Sequence, residues 1–515
     1  MTQKPGEWSF SLGKLEAAVH ATLEKLEQEQ FTRRLWERDA AIWKTEPEHQ
    51  RIIRNALGWL TIAEEMLEQV DALKEFTEEV RASGFKHAVL LGMGGSSLCP
   101  DVCRATFGTA PGFLDLKVLD STVPASVARV EQSVALERTL FLVSSKSGGT
   151  VETLSAYKYF YDRLVSLKGQ RAGENFIAIT DPGTSLEKLA VEQKFRRVFA
   201  GKPDIGGRFS ALSNFGMVPA ALMGVDVNTT LSRVRSFAED CGIEVPAKDN
   251  PGVALGGILA EAARAGRDKL TFVLSPGIHT LGDWIEQLVA ESTGKEGKGI
   301  LPVVGAGLGE PAAYGDDRIF VYIKLASEGG ERIEHRLQAL QDAGHPLVKI
   351  ELRDKLDLGL EFFRWELATA TAGAILGINP FDQPNVQESK DNTNRLLAKH
   401  QSEGRLAEGA AAAEYDGLRL YCDPATHRAL AGIREASLAG SLAAFLGQAR
   451  RGDYVALLAY IEACSENDAL LHLLCVRLRD ALRLATTAGY GPRYLHSTGQ
   501  LHKGGPNTGL FIEIT

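Results

Sequence analysis

The sequence predicts an α/β chain: two tandem three-layer αβα sandwiches with parallel sheets, plus helical N-terminal and C-terminal segments. Two observations carry this. From residue 87 onward, short apolar runs alternate with amphipathic segments. Outside that span, apolar residues recur every three to four positions. The first pattern is that of strands buried on both faces and joined by crossover helices. The second is that of amphipathic helices.

Taken in order, residues 1–80 form an N-terminal helical segment. Ile53, Leu57, Leu60, Met66, Leu67, Val70 and Leu73 share one face, and Ser83-Gly84 breaks the pattern. Residues 81–245 make the first sandwich, with strands in HAVLLGM, LKVLDS, TLFLVSS, NFIAITDP and RRVFAG. Residues 246–400 make the second, from KLTFVLSP, GILPVVG, RIFVYIKL and PLVKIEL, with PAKDNPG at the join. Residues 401–515 form a C-terminal helical segment and tail loop. QSEGRLAEGAAAAEY (401–415) reads as a linker, residues 468–488 as a helix ended by Gly489, and GLFIEIT as a final strand.

Composition narrows the function classes. An apolar fraction of 44% with 24% charged residues excludes disordered and collagen-like chains. A net charge of −9 argues against a nucleic-acid binder, although a local cationic cleft can still take an anionic substrate. The 6 cysteines include no CxxC pair, so neither a disulfide scaffold nor a structural metal site is expected. Cys99 and Cys103 read as packing residues one helical turn apart. The N-terminus has no apolar leader, and no run approaches the length of a membrane span. A reduced, cytoplasmic, membrane-free protein is the expectation.

Ligands of open α/β sheets bind beyond the carboxyl ends of the strands. Two loops there carry the chemistry. One is LGMGGSSL, with Gly94, Gly95, Ser96 and Ser97; the other is SSKSGGTVET, with Ser145, Lys146, Ser147 and Thr150. Glycines admit an anion close to the backbone, the following helix presents free N–H groups, and hydroxyls and an ammonium add donors. Taken alone, the first loop also fits a ligand-free tight turn. It fits a dinucleotide loop less well: Asp120 could serve the ribose, but GxGGSS lacks the third glycine of GxGxxG. The second loop favours a sugar-phosphate pocket, and no GxxxxGK[ST] motif is present.

GMGGSS, SKSGGTVET, GGRFS, QLVAESTGK and FDQPNVQESK together resemble, in order, the signature segments of the glucose-6-phosphate isomerase (phosphoglucose isomerase) family. Within it, the chain is most similar to the isomerase half of transaldolase–isomerase fusion proteins. The resemblance covers roughly residues 85 to 395. It implies two sugar-isomerase (SIS) domains, a hexose phosphate substrate and interconversion of glucose 6-phosphate with fructose 6-phosphate in glycolysis and gluconeogenesis. It implies no cofactor, a homodimer, and a transaldolase as partner or fusion. Gly95, Ser96, Ser145, Lys146, Ser147 and Thr150 would line the substrate site, with Gln287 and Gln383 beside them. Glu291 would be the base, Arg208 would stabilise the enediolate, and Lys390 would contact the phosphate and assist ring opening. Glu152 would orient neighbouring cations. Taken residue by residue, Glu291, Arg208 and Lys390 read as surface charges and Gln383 as a turn cap; their joint order gives them roles. Two rival readings are a sugar-phosphate-sensing SIS protein without chemistry and an isomerase of another hexose phosphate, such as mannose 6-phosphate. A sensor needs the serine loops but not Glu291.

One departure stands out. The family opens the sugar ring with a histidine in a segment like LHSxGQ, before the FDQP motif, supplied by the neighbouring subunit. Here His335 and His345 occupy that interval without the context, and LHSTGQ lies near the C-terminus. The expectation is a transposed segment whose His496 enters an active site. His502 and Lys503 are weaker candidates for the same pocket.

Overall fold

The computed structural model describes residues 7–405, 409–430 and 437–515, apart from the side chains of Gln387 and Lys390. The N-terminal segment is helical except at its start, where Glu7–Ser11 forms strand β1. Helices then follow to Ala82.

The first sheet comprises β2 (His87–Gly92), β3 (Asp115–Leu119), β4 (Thr139–Ser144), β5 (Phe176–Thr180) and β6 (Arg197–Ala200). All are parallel, in the order β3-β2-β4-β5-β6. Every residue of β4 and β5 is buried, which is why their sequences run apolar without alternation. Helix α1 (Leu98–Phe107) follows β2, and α2 (Val151–Lys168) follows β4. Cys99 and Cys103 are buried on α1.

The second unit opens with helix α3 (Pro251–Arg264). Asn250 caps it, Oδ1 accepting from the Gly252 and Val253 amides at 3.2 and 3.1 Å, and Pro251 occupies the first turn, where no N–H is needed. Strand β7 (Lys269–Leu274), helix α4 (Leu281–Thr293), and strands β8 (Leu301–Val303), β9 (Arg318–Leu325) and β10 (Leu347–Leu352) follow. The sheet order is β1-β10-β9-β7-β8, parallel except for β1. Helix α5 (Leu358–Leu376) is buried from Leu358 through Gly373, the ionisable Glu361, Arg364 and Glu366 included. One continuous core joins Leu90, Leu142 and Ile177 of the first sheet to Leu270, Ile319 and Val321 of the second. The two sheets are thereby fixed relative to each other.

After helix α6 (Pro384–Glu403), a small hairpin, β11 (Ala413–Tyr415) and β12 (Leu418–Leu420), precedes a third unit. Strand β13 (Tyr454–Ala459), helix α7 (Ser465–Leu482), and strands β14 (Ala485–Tyr490) and β15 (Gly509–Ile514) form a parallel sheet in the order β14-β13-β15. The predicted helix over 468–488 therefore stops early. Arg483 adopts the left-handed conformation (φ 58°), and buried Thr486 and Thr487, β-branched and at home in a strand, continue as β14. No helix among the described residues is long and apolar enough to cross a membrane.

Candidate active site

The two phosphate-type loops lie side by side at the carboxyl ends of β2 and β4. Gly95 packs so tightly on the GGRFS turn that a β-carbon there would lie 2.0 Å from the Gly207 carbonyl oxygen. Ser96 is buried, and its carbonyl accepts from Ser144 Oγ at 3.2 Å, tying one loop to the other. Ser145 Oγ and Thr150 Oγ1 share a hydrogen bond of 3.0 Å at the N-terminus of α2. The Ser147 hydroxyl is exposed and accepts from the Gly149 amide at 3.4 Å. Lys146 departs from the expected direction: its ammonium pairs with Asp181, just past β5. Asp181 satisfies that charge locally, so the loop offers hydroxyls and amides more than a free cation.

Arg208 is almost fully buried between the two sheet units. Its guanidinium donates to Ser292 Oγ (2.7 Å), Gln383 Oε1 (2.9 Å), and the carbonyls of Pro380 (2.6 Å) and Asp382 (3.0 Å). It also pairs with Glu291 at 3.1 Å. Glu291 and Gln287 lie one turn apart on α4, so they share a face. Gln287 Nε2 donates to Glu291 Oε2 at 3.1 Å and to the His496 carbonyl at 2.8 Å. Gln287 Oε1 is buried without a hydrogen-bond partner among the described residues. An orphaned acceptor of this kind is costly unless a ligand or water completes it.

His496 arrives from the third unit, on a short 3-10 turn, Arg493–His496. Its Nε2 lies 3.0 Å from Glu152 Oε1, in the first turn of α2 of the same chain. A β-carbon on Gly94 would sit 2.8 Å from both Gln287 Nε2 and the His496 carbonyl oxygen, so the GMGGSS loop, α4 and the C-terminal turn meet there. The rest of the HSTGQ segment is stitched to the second unit. Gln500 Nε2 donates to the Gly294 carbonyl (2.9 Å) and Asn385 Oδ1 (2.8 Å), while Gln500 Oε1 accepts from the Asn385 amide (3.1 Å). His502 is directed elsewhere, 2.8 Å from the Tyr454 hydroxyl, and burial, then Lys503, pushes its pKa down to about 4. Lys503 reaches Ser389. His345 packs edge-on against Phe320 and Tyr314, and His335 lies on the helix Glu331–Asp342.

Gln383 stands just before α6. Lys390 falls on α6, but its side chain lies outside the described residues. Lys295 takes a place that sequence reasoning left unassigned, although it is the last residue of the quoted AESTGK. Its buried ammonium donates to the Asn379 carbonyl (2.8 Å) and Asp382 Oδ1 (2.8 Å). Burial and the nearby Arg208 push its pKa down to about 8, against the pull of Asp382. Arg208 and Lys295 thus clamp the turn 379–383 from opposite units.

The site can stabilise an anion on hydroxyls and amides, hold a carboxylate beside a buried guanidinium, and present a histidine paired with a carboxylate. These are the parts of an acid–base reaction on a phosphorylated substrate. Comparisons agree. Residues 53–303 match the family model for phosphoglucose isomerase. The glucose-6-phosphate isomerase of Rubrobacter xylanophilus is 28% identical over 378 residues, 64% of this chain and 87% of that protein. That of Carboxydothermus hydrogenoformans is 26% identical over 399 residues, 66% and 85% of the two chains. A crystal structure of a glucose-6-phosphate isomerase from Chlamydia trachomatis shares the fold, with a TM-score of 0.61 at 20% identity, covering 78% of this chain and 90% of that one. Over residues 53–303, on these grounds, the chain is similar to the phosphoglucose isomerase family.

Proposed function

We propose that the protein interconverts glucose 6-phosphate and fructose 6-phosphate by ring opening followed by proton transfer through a cis-enediol, a step of glycolysis and gluconeogenesis. The observation that carries this is the Arg208–Glu291 pair at 3.1 Å, contributed by different sheet units and set beside the two phosphate-type loops. A sensor of sugar phosphates would need the loops but not a carboxylate poised beside a buried cation.

In this reading the phosphate is held by Ser96, Ser145, Ser147 and Thr150 and by the N-terminal amides of α2. Gln383 and Lys390 contact it as the resemblance implies. His496, oriented by Glu152, moves the proton that opens the ring. Glu291 takes the proton from carbon 2 and returns it to carbon 1. Arg208 offsets the charge that grows on the enediolate oxygens; it is already desolvated and held by four other acceptors, so it need not reorganise.

A homodimer, a cytoplasmic setting and a transaldolase partner belong to the same proposal and rest on the resemblance. In this reading His496 is supplied by the same chain as Glu152, which it meets at 3.0 Å. A coupled assay over glucose, mannose and fructose 6-phosphates tests the reading. Turnover of glucose 6-phosphate is expected; no turnover of any of them would leave a binding protein.

A further inference from the structure

We infer that Arg493 is a positioning residue for His496: its guanidinium, plugged among three carboxylates from both sheet units, holds the turn that delivers the histidine. The inference rests on the isomerase reading above. Arg493 opens the 3-10 turn that ends at His496. Its Nη1 lies 3.3 Å from Asp101 Oδ2 on α1 and 3.3 Å from Asp120 Oδ2 just beyond β3. Its Nη2 lies 3.7 Å from Asp283 Oδ2 on α4.

Each carboxylate leads back to the site. Asp120 Oδ2 also accepts from Ser97 Oγ of the GMGGSS loop at 3.4 Å. Asp283 begins the helix that carries Gln287 and Glu291. Asp101 lies on the helix that follows the same glycine loop. One cation therefore ties the third unit to the phosphate loop and to the helix of the base.

The electrostatics explain why an arginine is used. The cluster borders a cavity of about 630 Å³, lined also by Arg129, Glu286, Tyr490 and Ser497. Burial works against the charge of Arg493, but Asp120, Asp101 and Asp283 outweigh it and hold the guanidinium well above its ordinary pKa. Arg104 partly neutralises Asp101, at 2.8 Å. Without Arg493, Asp120 and Asp283 would face each other with little compensation, and the turn would lose its attachment. A planar guanidinium serves several carboxylates at once, which a lysine does less well.

The test is a double-mutant cycle on the full chain, read as kcat and KM for glucose 6-phosphate. R493M is expected to lower kcat about 100-fold, as a misplaced catalytic group does, with KM changed less than about threefold. In an H496A background, R493M should cost less than about twofold, because the group it positions is gone. R493K should show a smaller loss that also vanishes in H496A, which serves if R493M does not fold. Parental kcat in R493M would overturn the inference. So would the same penalty in both backgrounds, which marks a residue that merely supports the fold. Parental turnover in H496A would refute the assignment of His496, and an inactive parent the isomerase reading; the inference falls with either.

Discussion

His496 Nε2 stands 3.0 Å from Glu152 Oε1, although the two residues come from the last and the first of three sheet units. A carboxylate in that position fixes the ring orientation. E152Q is therefore expected to lower kcat by about 10-fold or more, and H496A by about 100-fold or more, the usual scale of general acid–base catalysis. Steady-state kinetics check this, with KM close to parental because the proposed phosphate contacts lie in other residues. Equal rates for E152Q and the parent would leave the contact without a catalytic role.

Lys295 predicts an alkaline limit. Its ammonium holds the 379–383 turn, and its pKa is depressed to about 8. Below that pH the turn is clamped by a charged donor. Above it the proton is lost and the clamp weakens, so kcat should fall as pH rises through about 8. K295R, which stays charged, should move that fall upward by a pH unit or more. A pH–rate profile unchanged by K295R would assign the limb to another group.

Gly95 is a steric requirement. With a β-carbon 2.0 Å from the Gly207 carbonyl, G95A must push the phosphate loop and the Arg208 turn apart. We expect a loss of about 2 kcal/mol of stability, typical of overpacking, and a larger proportional loss of kcat/KM. Denaturant unfolding and kinetics on the same sample check both. Parental values would mean the backbone relaxes at no cost.

Glu366 gives stability a pH dependence. It is fully buried on α5, its carboxylate oxygens have no hydrogen-bond partner among the described residues, and burial raises its pKa well above the ordinary value. A raised carboxyl pKa stabilises the fold while the group is protonated, and that contribution is lost as pH rises through the folded value. E366Q should therefore unfold at a higher temperature than the parent at pH 9, with the difference shrinking toward pH 5. Thermal unfolding across that range decides it; a constant gap would show that Glu366 does not titrate in the fold.

Much of this was legible in the sequence because each part sits in a contiguous motif. Apolar runs mark strands β2–β10, and the glycine- and serine-rich loops after β2 and β4 mark the candidate site. GGRFS, AESTGK and LHSTGQ name Arg208, Glu291 and His496. Other features leave no local signal. Strand β14 lies in a stretch whose apolar spacing also fits a helix, so its identity depends on pairing with β13. The Lys146–Asp181 and Arg493–Asp120 pairs join residues far apart in the chain. Periodicity is silent about such pairs, and only the folded sheet order brings them together. Lys295 was in view within AESTGK, but nothing in a string of letters says that its ammonium turns toward Asp382.

The most direct test of the central claim follows the substrate proton. Glucose 6-phosphate deuterated at carbon 2 is incubated with the parent and with E291Q, and the label is followed by NMR. With Glu291 as the base, the parent should move deuterium to carbon 1 or exchange it with solvent. E291Q should do so at least about 100-fold more slowly while still binding substrate. Deuterium leaving carbon 2 at the parental rate in folded E291Q would contradict the account.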